Sequence, residues 1–414
     1  MQACVQNVVQ GVMRHPSAFD MVPTPCHPPR EPGSFVIRIA YVIPTLDQSG
    51  AERQLTLLAS GLPRDEYDPH VIALNRGGHF AQLLEKHRIP VHVLGKRFRF
   101  DPLTWFRLRS RLHTIQPHIV QSCIFAANSY VRLPGILPAG SRLVVSERCV
   151  DSWKSDWQKS VDRKLSERMD MMTTNSKSVA EFYSTEIGVS KDRICVIPNG
   201  VPELPKSEPG RLHDQLGLAA NCRLIGFVGR LAPQKNLKDL VMAFHLYLQA
   251  TTEPAELVLI GDGPQRDSLA EFVTDLGRRD VVHFLGHRDD ASELIQDFTV
   301  FCLPSAFEGM SNSLMEAMAS GVPVIVSDIS PNRELVQHEH NGLVFKVSDI
   351  AVLAKSLKRC LDDDADFCNQ LGKSAKHMIA QDYSVASLVR RHQDLYRQLL
   401  TDSHPESVTR PEDK

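Results

Sequence analysis

The chain has 414 residues, more than one ordinary hydrophobic core holds, so two domains are expected. Its 47 Lys and Arg residues nearly balance 49 Asp and Glu residues, and a net charge of -2 gives no reason to expect nucleic acid as a partner. No apolar run approaches the roughly 18 residues needed to cross a bilayer. Nine scattered Cys residues indicate reduced thiols in a cytoplasmic protein, and neither a disulfide framework nor a zinc site.

The two ends of the chain have the composition of disordered segments. Residues 1–34 carry six prolines between Pro16 and Pro32, without a charged start or a clean apolar stretch. A disordered extension is therefore predicted there, and a signal peptide is not. The polar segment 401–414 is predicted to be a loose tail.

Short apolar, β-branched runs alternate with longer segments of helical periodicity from about residue 36 onward. This pattern is typical of βα units around parallel sheets, which bind ligands outside the carboxyl ends of their strands. The turn-rich segment 198–205 is a candidate hinge between two such sheets. The predicted strands are 36–43, 70–74, 91–94, 119–122, 143–146, 171–174 and 194–197 in the first half, and 224–228, 257–260, 282–285, 300–303 and 323–326 in the second.

Two cations in the second half follow a predicted strand and precede a predicted helix. In Val228-Gly-Arg-Leu-Ala-Pro-Gln-Lys-Asn236, Arg230 can bind phosphate oxygens through two N–H groups, and Lys235 adds a mobile positive charge. Asn236 is a candidate N-cap, and a helix N-terminus itself favours an anion. Two surface cations on a solvated loop are the alternative, but their position favours an anion site.

In Gly261-Asp-Gly-Pro264, Gly261 and Gly263 permit either a tight turn or close approach of a ligand.

Two carboxylates occur in Phe307-Glu-Gly-Met-Ser-Asn-Ser-Leu-Met-Glu-Ala317. Glu308 lies in a predicted loop just after a buried strand, where charged groups are more often functional than structural in this architecture. Glu316 also fits a capping box that begins at Ser313, and Glu52 fits one that begins at Ser49, so both have a structural alternative. The backbone N–H groups of residues 309–312 are predicted to form a helix start suited to a diphosphate.

Taken together and in this order, the motifs resemble those of the retaining glycosyltransferases of family 4. The resemblance covers nearly the whole chain, from about residue 35 to about residue 400. The matching motifs are Ser49-Gly-Ala-Glu-Arg53, Ile197-Pro-Asn-Gly200, Gly229-Arg-Leu, Lys235-Asn236, Gly261-Asp-Gly-Pro264, Pro304-Ser305, Glu308-Gly, Glu316-Ala-Met-Ala and Gly321-Val-Pro-Val324.

The resemblance implies the α/β GT-B architecture, in which two Rossmann-like, doubly wound parallel-sheet domains face a central cleft. Residues 35–200 would form the acceptor-side domain, and residues 201–380 would form the domain that binds the nucleotide-sugar donor. Residues 381–400 would be a helix that crosses back onto the first domain.

The resemblance also implies roles for the site residues. Arg230 and Lys235 would hold the donor diphosphate, where negative charge grows during the reaction. Glu308 would contact the donor sugar and complete the catalytic group with these two cations, and Glu316 would meet the ribose. No cofactor or metal is implied. The implied donor-binding set is Arg230, Lys235, Gly261, Gly263, Met310, Ser311, Asn312, Glu316 and Gly50.

One segment departs from the family pattern. Many members carry histidines after the fourth strand of the first domain, where this chain has Gln121, Cys123 and Ala126. Gln121 can donate a hydrogen bond to a sugar hydroxyl, or it can simply end a strand. Because the donor half matches, we interpret the departure as a different substrate contact and not as loss of activity. The acceptor-side candidates are Gln121, Glu52, Glu147 and Arg148.

Basic and aromatic residues are interleaved in segment 96–111 of the first domain. Such a composition suits an anionic membrane surface or a lipid-linked pyrophosphate acceptor. An ordinary amphipathic helix with Leu103, Phe106 and Leu108 partly in the core is the alternative interpretation.

The sequence therefore predicts a cytoplasmic, metal-independent, retaining glycosyltransferase, peripheral at the inner membrane face. It would use a UDP- or GDP-sugar to extend a glycan or lipid-linked acceptor in cell-surface polysaccharide or glycolipid synthesis. Two alternatives stay open: a nucleotide-sugar epimerase or hydrolase of the same fold, and a non-catalytic subunit that binds a sugar nucleotide or a glycan. An NAD-dependent oxidoreductase is disfavoured because the Gly-x-Gly-x-x-Gly fingerprint is absent.

Overall fold

The computed structural model describes residues 36–98, 101–150, 154–205 and 208–401. The predicted extension 1–34 and the predicted tail beyond residue 401 lie outside these ranges, as do two residues of segment 96–111. Within the described ranges, no helix has both the length and the apolar composition that crossing a bilayer requires.

The first half folds into a seven-stranded parallel sheet in the order β3-β2-β1-β4-β5-β6-β7. The central strands are buried on both faces, because helices cover both sides of a parallel sheet. The strands are β1 Ile37–Thr45, β2 Tyr67–Arg76, β3 Val91–Val93, β4 Ile119–Cys123, β5 Arg142–Glu147, β6 Met171–Thr174 and β7 Ile194–Val196.

The second half forms a six-stranded parallel sheet in the order β10-β9-β8-β11-β12-β13. All twelve predicted strands are confirmed, with ends shifted by a few residues. The thirteenth strand, β13, was not predicted and has three residues. The strands are β8 Arg223–Val228, β9 Ala255–Ile260, β10 Val282–Gly286, β11 Val300–Leu303, β12 Val324–Ser327 and β13 Leu343–Phe345.

Fifteen α-helices connect the strands within the described ranges or pack beside them. Short 3-10 and π-helical turns extend several of them. The helices are α1 Gly50–Gly61, α2 His79–Lys86, α3 Pro102–Ile115, α4 Ile124–Val131, α5 Asp156–Leu165, α6 Lys177–Phe182, α7 Arg211–Leu216, α8 Leu237–Gln249, α9 Arg266–Asp275, α10 Ala291–Leu294, α11 Asn312–Ser320, α12 Ser330–Leu335, α13 Ile350–Lys358, α14 Ala365–Asp382 and α15 Val385–Thr401.

Each sheet has one point where the strand order reverses. In the first sheet it lies between β1 and β4, and in the second between β8 and β11. At such a point the loops after the two strands diverge to opposite faces and leave a crevice at the carboxyl edge, which is where open α/β sheets bind ligands. The loops beyond β8 and β11 carry the predicted phosphate cations and the predicted sugar carboxylate, respectively.

The last helix, α15, belongs to the core of the first sheet. Its Leu388, Leu395 and Leu399 are buried in the same apolar cluster as residues of β1, β2 and α1. The approach to α1 is close, since a Cβ built on Gly61 would lie 2.7 Å from Val389 Cγ2. The chain therefore returns from the second sheet and ties its end to the first.

A buried polar contact accompanies this docking. The Tyr396 hydroxyl donates to the Gln121 side-chain oxygen on β4. His392 directs its Nδ1 to the Leu388 carbonyl at 2.9 Å, which fixes the proton on Nδ1 because a carbonyl only accepts. Its Nε2 lies 3.5 Å from the Gln121 amide nitrogen. Burial lowers the pKa of His392 to about 4.

Acid should weaken the fold through His392. The pKa of a histidine in the unfolded chain is about 6.5, so between about pH 6 and pH 4 the unfolded state binds a proton at this residue and the folded state does not. For each unit by which the pH is lowered in this range, His392 alone decreases the free energy of unfolding by about 1.4 kcal/mol. We expect His392→Gln to flatten the pH dependence of urea unfolding by that amount. Parallel curves for the two proteins would show that His392 is not buried in its neutral form.

Candidate active site at the interdomain cleft

The switch point of the second sheet brings two distant loops into contact. The Gln234 carbonyl accepts from Ala306 N at 2.9 Å, and the Gln234 side-chain amide donates to the Phe307 carbonyl at 2.9 Å. These bonds fasten the loop after β8 to the loop after β11. Lys235 and Glu308 are thereby brought together from positions 73 residues apart.

Glu308 is buried and surrounded by donors. Its Oε1 accepts from the Lys235 ammonium and from Ser305 Oγ at 2.7 Å, and its Oε2 lies 3.2 Å from the Gln234 amide nitrogen. A buried carboxylate is tolerated only when it is paired and hydrogen-bonded in this way. Lys235, predicted to bind the diphosphate, and Glu308, predicted to contact the sugar, thus form one ion pair at the crevice.

Arg230 and Asn236 flank this pair in the same loop. Arg230 is exposed, and among the described residues its guanidinium has no ion-pair or hydrogen-bond partner. Asn236 precedes α8 as predicted, but its φ is 51° and its side chain contacts Asp239, so it does not cap the helix through its side chain. Arg230 is the cation of this loop that remains available to an incoming anion.

The predicted glycines after β9 serve chain packing. A Cβ on Gly261 would lie 1.9 Å from the Gly229 carbonyl oxygen, and one on Gly263 would lie 2.4 Å from the Leu231 carbonyl oxygen. Leu231 N also donates to the Asp262 carbonyl at 3.0 Å. Close packing therefore requires glycine at both positions and holds the Arg230 loop against its neighbour.

Helix α11 starts one turn before Glu316. Its N-cap is Ser311, whose Oγ accepts from Leu314 N at 3.4 Å, so the capping box predicted from Ser313 to Glu316 is wrong. Glu316 instead forms a buried ion pair with Arg53 of the first domain. Burial raises the pKa of the Glu316 carboxyl, and Arg53 opposes that rise. An ionic contact across the cleft was the role that sequence reasoning missed for Arg53.

Glu52 and Arg148 lie on the first-domain side of the cleft. The Glu52 carboxylate accepts from Thr45 Oγ1 at 3.1 Å and from the Ser49 hydroxyl. Ser49 makes no side-chain cap bond, so the predicted Ser49–Glu52 capping box is also wrong. Burial raises the pKa of Glu52 and lowers that of the Arg148 guanidinium, while the charges of the two groups act on each other favourably.

Asn199 and Gln54 fasten the two domains around Asn312. The Asn312 side-chain oxygen accepts from Asn199 Nδ2 at 2.7 Å and from Gln54 Nε2 at 3.2 Å. Asn199 also donates to the Met310 carbonyl at 3.1 Å and accepts from Arg148. The sequence analysis did not predict Asn199 or Gln54 as site residues. Asn199 could have been found, because it is the amide of the Pro-Asn-Gly motif in the candidate hinge.

Gly50 and Gly309 each lie close to the opposite domain. Asn312 Nδ2 lies 3.4 Å from the Gly50 carbonyl oxygen. Gly309 forms an antiparallel bridge with Cys149, and a Cβ on Gly309 would lie 2.0 Å from the Arg148 carbonyl oxygen. The loop that carries Glu308 is therefore in backbone contact with the first domain.

Two acceptor-side candidates are buried and bonded to other protein groups. Gln121 is buried between Ser146 Oγ, at 2.9 Å, and Tyr396. Glu147 is buried beside Asn128 Nδ2, at 2.9 Å, and the Lys154 ammonium, at 3.9 Å. Both side chains are already satisfied by protein groups, so the geometry favours structural roles for them.

Two other features bear on the departure from the family pattern and on metal binding. Cys123 is buried, and burial raises the pKa of its thiol to about 12, so it does not replace a histidine as a proton carrier. Within the part of the chain that the structure describes, no three His, Cys, Asp or Glu side chains are grouped to hold a metal ion.

Comparison with known families agrees with this geometry. The family model for Glycosyltransferase Family 4 matches residues 48–203, and the model for Glycosyl transferases group 1 matches residues 210–378. The two matches fall one in each half and together cover most of the chain. The crystal structure of Anabaena Alr3699/HepE in complex with UDP has a TM-score of 0.76 and 25% sequence identity, and the match covers 87% of this chain and 100% of that one. Each half of the chain thus matches a glycosyltransferase family model, and the structural match confirms the predicted GT-B fold class.

Two curated relatives illustrate the similarity. An Escherichia coli UDP-Gal:alpha-D-GlcNAc-diphosphoundecaprenol alpha-1,3-galactosyltransferase is 33% identical over 223 residues, which are 52% of this chain and 57% of that protein. A Campylobacter jejuni GalNAc-alpha-(1->4)-GalNAc-alpha-(1->3)-diNAcBac-PP-undecaprenol alpha-1,4-N-acetyl-D-galactosaminyltransferase is 25% identical over 367 residues, 85% of this chain and 96% of that protein. The first match thus spans little more than half of its relative's length.

Replacing Gly309 should disturb the cleft. We expect Gly309→Ala to force the Glu308 loop away from Arg148, because the new Cβ would meet backbone and not a flexible side-chain end. The stability loss should be about 1–3 kcal/mol, measured by urea unfolding. Gly77→Ala is the matched control, since its Cβ would lie an ordinary 3.5 Å from Ala81. Equal stability of the two variants would contradict the close interdomain contact.

Proposed function

We propose that the protein transfers a sugar, with retention of configuration, from a UDP-sugar to a lipid-linked or glycan acceptor in cell-surface polysaccharide or glycolipid synthesis. The observation that carries the proposal is the Lys235–Glu308 ion pair at the switch point of the second sheet, beside the first domain and with Arg230 exposed in the same loop as Lys235. Uridine is favoured over guanosine because one relative is named for UDP-Gal and a structural neighbour was solved with UDP.

Arg230 and Lys235 would bind the donor diphosphate. Arg230 is exposed in its loop and can form two parallel bonds to phosphate oxygens. Lys235 has three N–H donors, so it can hold Glu308 and still reach a phosphate. Both charges would oppose the negative charge that grows on the leaving diphosphate. The start of α11, at Asn312, would add backbone N–H groups.

Glu308 would contact the donor sugar. Its two oxygens already accept from three protein groups, which fix the carboxylate before any substrate arrives. A positioned carboxylate of this kind orients sugar hydroxyls without rearranging during the reaction. The remaining proposed donor contacts follow the same edge of the second sheet: Gly261, Gly263, Met310, Ser311 and Glu316, with Gly50 closing from the first domain.

Glu316 would bind the donor ribose after its contact with Arg53 is loosened or broken. In the unliganded protein its carboxylate is paired with Arg53, so a ribose hydroxyl would have to share or replace that contact. Glu52 and Arg148 would line the acceptor side. The acceptor would attack from the face that the diphosphate leaves, which gives retention. The cations and the helix start would do the work of a metal ion, and the protein would act in the cytoplasm at the inner membrane face.

Kinetics of four variants test this assignment. We expect Lys235→Ala and Glu308→Gln each to reduce kcat/KM for a UDP-sugar by about 10²-fold or more, since each removes a group at the reacting end of the donor. Glu52→Gln should reduce it by less, about tenfold. Lys238→Ala, three residues further along the chain and exposed in the first turn of α8, removes the same charge outside the site and should have full activity. The assay follows UDP release with EDTA present, using an extract of undecaprenol-linked glycans as acceptor.

The double variant Lys235→Ala/Glu308→Gln separates folding from function, because it removes both charges and leaves neither one unpaired. It should unfold cooperatively and have no transfer activity. Full activity of Lys235→Ala would refute the diphosphate site. Turnover of donor without an acceptor product would favour the hydrolase or epimerase alternative, and donor binding without any turnover would favour a non-catalytic subunit. The anomeric configuration of the product, read by NMR, tests retention.

A further inference from the structure

The three most exposed large apolar side chains of the described residues lie in one short stretch of chain. Phe98 is 71% exposed, Phe106 63% and Leu103 59%, and all three lie between the end of β3 and the second turn of α3. Elsewhere such exposure is lower and scattered. A cluster of this kind on a folded protein marks an interaction surface.

The geometry of α3 explains why these side chains face outward. Thr104, Leu108 and Leu112 recur at intervals of four and are buried against the sheet. Leu103 and Phe106, three residues apart, share the opposite face. The amphipathic-helix alternative is therefore correct for Leu108, and it is wrong for Leu103 and Phe106, which are not in the core.

The same face is strongly basic. Between residues 91 and 118 the sequence has six Lys and Arg residues and one acidic residue, Asp101, although the whole chain is nearly neutral. Asp101 is buried and its carboxylate accepts from Leu103 N and Arg97 N, at 3.0 and 3.2 Å, so it lies within the helix cap. Arg97, Arg107 and Arg111 are exposed beside the apolar side chains.

This face lies at the cleft edge of the first domain. Helix α3 follows β3 in a parallel sheet, so its first turn lies at the carboxyl end of the strands, as do Glu52 after β1 and Arg148 after β5. The Tyr130 hydroxyl on α4, the helix that follows β4, accepts from Asp101 N at 2.9 Å and connects the start of α3 to that neighbouring unit. The exposed aromatic face and the proposed acceptor side therefore open at the same edge.

We propose that Phe98, Leu103 and Phe106, with Arg97, Arg107 and Arg111, form a docking face that inserts into an anionic lipid bilayer. The apolar side chains would enter the boundary between headgroups and acyl chains, and the arginines would pair with lipid phosphates. An anionic lipid surface is the partner that the charge of this segment fits, because its six cations are accompanied by a single acidic residue, Asp101, which is buried in the helix cap. Binding of the face to lipid is independent of the proposed function. Delivery of a lipid-linked acceptor from this face to the cleft is a further step, and it rests on the proposed function.

Vesicle cosedimentation tests the docking face. The full chain should bind vesicles of 30% phosphatidylglycerol in phosphatidylcholine and not vesicles of phosphatidylcholine alone, and binding should weaken as salt rises from 50 to 300 mM. We expect Leu103→Ser/Phe106→Ser to weaken binding by about tenfold or more, and Arg97→Glu/Arg111→Glu to do the same. Leu246→Ser/Val352→Ser, which changes two exposed apolar side chains of the second domain, is the matched control and should bind like the wild type.

Binding of all four proteins to the same extent would overturn the proposal, as would absence of binding to anionic vesicles. Loss of binding in the arginine variant alone would show simple charge attraction and would overturn the insertion of Leu103 and Phe106. The thermal shift that UDP produces should be equal in all four proteins, because no substitution touches the donor side. Failure of that shift in every protein would count against the proposed function and leave the vesicle result standing.

Discussion

The constraint on which this protein depends is that the strands of a parallel sheet all end at one edge. Where the strand order reverses, no helix fills the gap between neighbouring loops, and a crevice is left. Both sheets have such a reversal, between β1 and β4 and between β8 and β11. Because the two carboxyl edges face each other, the loops of five distant sequence segments meet in one cleft.

Charge pairing within and across this cleft gives it a defined form before any ligand binds. The Lys235–Glu308 pair holds the two loops of the second sheet together, and the Arg53–Glu316 pair joins the second domain to the first. Buried carboxylates are unfavourable without such partners, so each pair constrains the distance between the elements that carry it. The amides of Asn199, Gln54 and Asn312 add directional bonds that ion pairs alone do not provide.

The sequence was sufficient for the architecture because strands buried on both faces form continuous apolar runs. Motif order then pointed to the two loops that we propose as the donor site, and the meeting of Lys235 with Glu308 follows from the strand reversal. Local rules failed where tertiary contacts compete with them. Ser313 and Glu316 have the spacing of a capping box, yet Ser311 caps the helix and Glu316 reaches Arg53. Partners 263 residues apart leave no local signal, so this pair could not be predicted from spacing.

The first domain was less predictable for a related reason. Gln121 lies within β4 and Glu147 ends β5, and sequence position and motif alone suggested that both contact an acceptor. Instead, Gln121 accepts a hydrogen bond from Tyr396 in the last helix. Glu147 is paired with Lys154 and accepts a hydrogen bond from Asn128. A strand position fixes which edge a residue lies at, whereas the packing of remote helices decides which way its side chain points.

A crystal structure of the protein with UDP and an intact, non-transferable UDP-sugar analogue would show whether the crevice at Lys235 and Glu308 binds the donor. We expect the diphosphate between Arg230, Lys235 and the start of α11, with the sugar against Glu308 and no metal ion between protein and phosphate. Nucleotide density elsewhere, or a diphosphate held through a metal ion with Lys235 still bound only to Glu308, would contradict it.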